Sequence, residues 1–330
     1  MKKFQSTVIA IALGSTVVSA GTPPSRHLTL TYTCYLTHLP ATTRQVDCWI
    51  PVPTSNDRQT VEVLAADQDH GRFTTEAKYG NKMYYRHFVL DKDNPGDTVK
   101  ITLVYKITLD EKSVPEAKQL SLASEPVAAQ PAPNAMGVYL TAARLIPLQG
   151  PIEALGEKLS LSDQPIRAAR QIYDYLIANM VYNYQAPGAG HGDAVWACNS
   201  RTGDCTDYHS IFIGVCRASG IPADHVFGIP LRAQEGRGTA AYWHCWARFW
   251  AGQPGWITID ASEAAKHPEL REYNFGTLSN TYLTLSHGRD VMLEPAQKGP
   301  LLNIFADPYV EADGAAFPDV KWVVNFQEDK

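Results

Sequence analysis

Two hydrophobic spacings divide the chain. Between residues 27 and 110 apolar side chains recur at every second position. Leu28, Leu30, Tyr32, Cys34 and Leu36 alternate with Thr29, Thr31 and Thr33, and Val46, Cys48, Ile50 and Val52 repeat the pattern. That period belongs to strands with one buried face. Residues 61–64, 83–90 and 99–109 continue it, with turn clusters such as Asp93-Asn94-Pro95-Gly96 between them. Several short strands with turns predict an N-terminal antiparallel β-sandwich-like domain over 27–110.

Residues 111–135 shift to Ala, Pro, Ser and Glu and end in Gln130-Pro131-Ala132-Pro133-Asn134, a linker composition. Helical spacing follows. It starts near Ser162-Asp163, has Pro165 in its first turn, and continues through Ile166, Ala169, Tyr173, Leu176, Ile177 and Met180. A second helix is predicted to begin close to Cys205, with Phe212, Val215 and Cys216 on its apolar face and Gly220 before Pro222 as its stop. Strand patterns return at 242–249 and 256–260, joined by the turn Ala251-Gly252-Gln253-Pro254-Gly255. A helix followed by antiparallel strands indicates an α+β domain over 136–314, and 315–330 reads as a C-terminal tail. The glycine-rich run Gln185–Gly192 lacks the Gly-Lys-Ser/Thr ending of a phosphate cradle and reads as a mobile loop.

Composition narrows the picture. A chain of 330 residues with 45% hydrophobic and 19% charged residues can bury a substantial core, and two domains are expected. Lys2 and Lys3 precede an apolar stretch ending at Val18-Ser19-Ala20, so residues 1–20 read as a signal peptide. The stretch is too short to span a bilayer, and no other segment is long and apolar enough. An exported protein, periplasmic or extracellular and without stable membrane insertion, is expected. Without Lys2 and Lys3 the formal charge falls from 29 − 34 = −5 to 27 − 34 = −7. With no Lys/Arg cluster, that balance argues against nucleic-acid binding. The six cysteines lack Cys-x-x-Cys spacing, so no zinc site is expected. Export permits disulfides. Setting Cys34 opposite Cys48 places Leu36 against Val46 and Tyr32 against Ile50 on one face, which predicts a Cys34–Cys48 bond.

The candidate chemistry centres on Cys205, in Arg201-Thr202-Gly203-Asp204-Cys205-Thr206-Asp207 at a predicted helix start. Unpaired backbone N–H groups and the helix dipole favour a thiolate there, and polar neighbours speak against burial. A thiolate nucleophile needs a group that takes and returns a proton near neutral pH, and histidine does both. His244, in a strand among Tyr242, Trp243 and Trp246, is the first candidate; His209, one helical turn from Cys205, is the second. Asp260 closes the next strand and can accept the His244 N–H, fixing its tautomer.

Gly203-Asp204-Cys205-Thr206-Asp207 resembles the nucleophile motif of the transglutaminase-like superfamily. His244-Cys245-Trp246 resembles that family's histidine strand and Asp260-Ala261-Ser262 its aspartate strand. Trp49-Ile50-Pro51-Val52-Pro53 and Gly220-Ile221-Pro222-Ala223 are similar to the bacterial exported branch, so the resemblance covers roughly 28–314. It implies a papain-like α+β core with a Cys205-His244-Asp260 triad that attacks an amide carbonyl and forms an acyl-thioester. Water or an amine then releases the acyl group, giving a peptidase, an amidase or a transglutaminase. The alternative is a catalytically silent peptide- or cell-wall-binding module. The upstream Trp that eukaryotic members use at the oxyanion makes Trp196 a candidate donor, and papain-like logic makes Asn199 another. Tyr182, Tyr184, Trp243 and Trp246 are candidate cleft residues for a peptide, protein or cell-wall peptide substrate. Asp307–Gly314 holds acids without an EF-hand pattern. No metal and no cofactor are expected.

Overall fold

The computed structural model describes residues 25–67, 71–90, 98–115, 117 and 134–329. The expected signal peptide, the 93–96 turn and most of the expected linker lie outside them.

Six strands open the fold: β1 (Arg26–Leu36), β2 (Gln45–Pro51), β3 (Gln59–Ala66), β4 (Gly71–Thr75), β5 (Lys82–Val89) and β6 (Val99–Leu109). Those that follow and complete the three larger sheets are β7 (Ala223–Pro230), β8 (Arg237–Ala240), β9 (His244–Trp250), β10 (Trp256–Ile259), β11 (Tyr282–His287), β12 (Tyr309–Ala312), β13 (Ala315–Ala316) and β14 (Val320–Glu328). Between and among these lie helices α1 (Pro151–Leu159), α2 (Pro165–Asn179), α3 (Ala194–Ser200), α4 (Cys205–Ala218) and α5 (Ala261–Lys266).

Two five-stranded sheets form the sandwich, in the orders β8-β14-β1-β6-β3 and β13-β12-β2-β5-β4. The alternation seen in the sequence is what closes it. Leu28, Leu30, Tyr32, Cys34 and Leu36 of β1 meet Val46, Cys48 and Ile50 of β2 in one buried cluster. Each buried leucine contributes about 1.5–3 kcal/mol. The C-terminal residues are no tail. Strand β14 pairs along β1 from Leu28↔Glu328 to Leu36↔Val320, because Val324 and Phe326 bury against the same core.

The register expected for the two cysteines does not form. Cys34 lies opposite Ile101 and Trp322, whereas Cys48 lies opposite Arg86 and Val310 in the other sheet. The 37–44 connection carries the chain between layers, so the two apolar faces stack instead of lying side by side. Cys34 and Cys48 are free thiols, both buried in the core between the sheets.

A third sheet, in the order β10-β9-β7-β11, packs against helix α4. Residues 205–217 of this helix are all buried, polar and apolar alike. It is therefore a central helix hydrophobic contacts surround, with no single apolar face. Mixed helices and antiparallel sheets give the α+β class.

Candidate active site

The start of α4 is fixed by carboxylates on both sides of Cys205. Asp204 is the N-cap and accepts the Thr206 N–H at 2.8 Å and the Asp207 N–H at 3.4 Å. Asp207 returns the contact by accepting the Asp204 N–H at 2.9 Å, closing a capping box. The Cys205 N–H, first in the helix, makes no hydrogen bond among the described residues. The sulfur sits beside an unused donor at the positive end of the helix dipole. Cys205 is itself buried, 6% exposed, contrary to the argument from its polar neighbours. Of those neighbours Thr206 and Asp207 are buried with it, and the capping box and the glycine-rich loop satisfy Asp207.

The glycine-rich run is one such loop, and it is pinned. Asp207 also accepts the Gly190 and Gly192 N–H groups at 2.9 and 3.0 Å. The buried Arg289 donates to the His191 and Gly192 carbonyls, to Asn303 and to Ser210 of α4. Gly192, at φ +62°, has Arg289, Ser210 and Thr206 where a Cβ would stand. Burial pushes the Asp207 carboxyl up to about 6 against the pull of its backbone donors.

Strand β9 begins at His244, so its side chain sits at the sheet's end beside the start of α4. Its Nε2 donates to Asp260 Oδ2 at 2.6 Å, which leaves Nδ1 available to Cys205, its electrostatic neighbour. Tyr282 and Trp246 pack behind the imidazole, with ring centroids 5.4 and 6.2 Å away. Asp260 ends β10 and caps α5. It accepts from Ser262 Oγ at 2.8 Å and Glu263 N–H at 2.9 Å, which fixes it independently of His244.

The electrostatics follow from this geometry. Burial would lower the His244 pKa, but the Asp260 charge, their hydrogen bond and Cys205 outweigh it and raise it well above the ordinary imidazole value. Cys205 moves the other way, down to about 6, through a hydrogen bond from Cys245 against the cost of burial, and through His244. These opposite directions favour a thiolate at Cys205 and a charged imidazole at His244. His209 has a different setting. Its Nε2 accepts the Ala261 N–H at 3.2 Å and its Nδ1 lies 3.6 Å from Cys245 Sγ. Complete burial pushes it down to about 4, so it is neutral.

Cys205 and His244 open onto a cavity of about 720 Å³. Tyr182, Tyr184, Tyr242, Trp243 and Tyr282 give it aromatic walls, and Arg232, Lys266 and Glu263 add charge. Three of the four residues expected in the cleft are there. Trp246 is not: it is buried behind His244 and faces the opposite groove. Neither Trp196 nor Asn199 lines the cavity. Trp196 packs against the glycine-rich loop at Gly188, and Asn199 is exposed near the far end of α3. The acids of 307–314 are engaged by protein donors. Asp307 accepts from the Trp243 and Trp322 indoles, Glu311 from Lys298 and Gly299 N–H, and Asp313 from Arg44 and Gln45 N–H. Among the residues that sequence reasoning missed, Asp207 was readable as the second acid of the capping box. Arg289 and Tyr282 carry no local signal.

Residues 153–261, which span Cys205, His244 and Asp260, match the family model of the Transglutaminase-like superfamily. A Haemophilus influenzae protein described as uncharacterized is 26% identical over 305 residues, covering 82% of this chain and 81% of its own. Among solved structures, a Cytophaga hutchinsonii protein described as a “Putative Cysteine Protease” superimposes with a TM-score of 0.60 at 13% identity, over 93% of this chain and 92% of that one. The periplasmic domain of TgpA from Pseudomonas aeruginosa, 16% identical, covers 73% of this chain and 92% of its own with a TM-score of 0.35. The Cytophaga likeness establishes a shared fold.

Proposed function

We propose that the chain is an exported cysteine-nucleophile enzyme acting on amide or peptide bonds, with Cys205, His244 and Asp260 as its triad. The observation that carries this reading is the orientation of His244. One nitrogen is held by Asp260 at 2.6 Å and the other is left to Cys205, at an open cavity of about 720 Å³. Cavities of that size take extended peptide-like ligands. The transglutaminase-like domain and the residue order Cys, His, Asp support the same reading. Export rests on the Lys2-Lys3 and 8–18 pattern; no helix among the described residues is long and apolar enough to cross a membrane.

The thiolate attacks the carbonyl carbon, and the free Cys205 N–H donates to the oxyanion. His244, protonated in the resting pair, gives its Nδ1 proton to the departing amine, leaving an acyl-thioester on Cys205. Deacylation reverses the roles: His244 takes a proton from water or an incoming amine. Asp260 stabilises the imidazolium throughout.

The test incubates the protein with peptides and cell-wall peptide fragments, with and without a primary amine, and follows products by mass spectrometry. The reading predicts acyl transfer to water or to the amine, and its loss in Cys205→Ala. Equal binding by both forms with no product from either would instead identify a silent binding module.

A further inference from the structure

We infer that Cys245 is a positioning residue for the Cys205 thiolate: the buried His209 ring orients the Cys245 sulfur so that its S–H donates to Cys205. This rests on the reading of Cys205 as the nucleophile.

Cys245 is the second residue of β9, so its side chain leaves the sheet on the face opposite to those of His244 and Trp246. It is fully buried in a small cluster with Cys205, Phe227 and Ala306. A thiol in such surroundings ordinarily stays protonated and inert. Here it has a partner on each side, and the polarity of the chain is fixed. The Ala261 N–H donates to His209 Nε2, so that nitrogen carries no proton. The neutral ring must then hold its proton on Nδ1, which lies 3.6 Å from Cys245 Sγ and also faces the Cys205 carbonyl. With a donor already at its sulfur, Cys245 is left to direct its own proton to Cys205, with which it shares this small buried cluster.

Other charged groups bear on the pair from each packed element. His244 favours the thiolate from β9, and Asp204 opposes it from the helix cap. Cys245 is held protonated by burial, by Cys205, and by Asp204 and Asp260. Arg289 interacts electrostatically with Cys245. None of these supplies an uncharged donor to Cys205. A neutral donor stabilises the thiolate without adding a second positive charge beside it. It therefore complements His244, which must eventually release its proton to the leaving group.

The experiment follows alkylation of Cys205 by iodoacetamide across pH in the native full chain, read on its own peptide by mass spectrometry. The unmodified protein should show a midpoint near 6. Cys245→Ala and the closer-sized Cys245→Val lack the donor, and their midpoints should rise by about one pH unit, the scale of a hydrogen bond to a charged acceptor. Cys245→Ser retains a donor and should stay close to the unmodified protein. An unchanged midpoint in both Ala and Val variants, beside a low one in the parent, overturns the positioning role and leaves the proposed nucleophile standing. A Ser variant that rises as far as Val also overturns it, because packing alone would then explain the shift. A parent that titrates as an ordinary thiol overturns both.

Discussion

The sandwich and the nucleophile helix are both buried, and they reach that state by different means. In the sandwich every inward position of β1, β2 and β6 is apolar or aromatic, so burial itself is the stabilising term. Helix α4 takes Thr206, Asp207, His209 and Ser210 into the interior, each of which costs free energy unless paired. The sandwich needs only the right pattern and volume. The helix needs particular partners, Arg289 and the 188–192 loop among them.

That difference can be broken at either end, and the largest effect is expected at Arg289. Arg289→Leu keeps much of the volume but strands the His191 and Gly192 carbonyls, Asn303 and Ser210. A loss of about 4 kcal/mol is expected in urea unfolding, with early proteolysis inside the glycine-rich loop. In the sandwich, Leu103→Ala should cost about 3 kcal/mol through lost burial and a cavity. The pH profile of Cys205 should not move, because no polar network is disturbed.

Asp207 sharpens the contrast through pH. Its folded pKa is raised from 3.8 to about 6, so folding favours the protonated carboxyl. The associated stability is fully present below the unfolded value and is lost as pH rises through the folded one. The stability advantage of the parent over Asp207→Asn should therefore shrink by about 2–3 kcal/mol between about pH 4 and pH 7. An advantage that widened over that range would mean that the ionised carboxylate is what holds the loop. The smallest effect lies within α4. Brief iodoacetamide treatment should label Cys205 at the cavity and leave Cys216 untouched, since Cys216 is wholly buried and burial pushes its thiol well up.

The same contrast explains what could be read from the sequence. Period-2 burial is local, so β1, β2, β5 and β6 were legible within a residue or two. Strand β14 was not, since Val320–Glu328 gains its place only by pairing with β1 across the whole chain. The Cys34–Cys48 register failed because alternation shows which side chains point inward and not whether two strands share a sheet. At the site, Cys205 at a helix start, His244 in a strand and Asp260 at a strand end stand out by residue type and position, and His244 and Asp260 hydrogen-bond at 2.6 Å. Trp196 and Asn199 are candidates through family likeness and papain-like logic, but Arg201 at φ +54° ends α3 and turns the chain between them and the nucleophile. The glycine-rich run reads as mobile because its composition says nothing about a distant arginine.

The account stands or falls on the source of the Cys205 thiolate. The most direct measurement is its alkylation rate against pH in the parent and in His244→Ala, Asp260→Asn and His209→Ala. The parent should react down to a midpoint near 6. His244→Ala should move that midpoint up toward the value of about 8.5 of a free thiol, less what Cys245 and the helix start still contribute. Asp260→Asn should fall between, because the imidazole remains but loses the charge that stabilises its protonated form. His209→Ala should move it far less than His244→Ala. A large shift in His209→Ala with none in His244→Ala would contradict the assignment of the base, and with it the proposed triad.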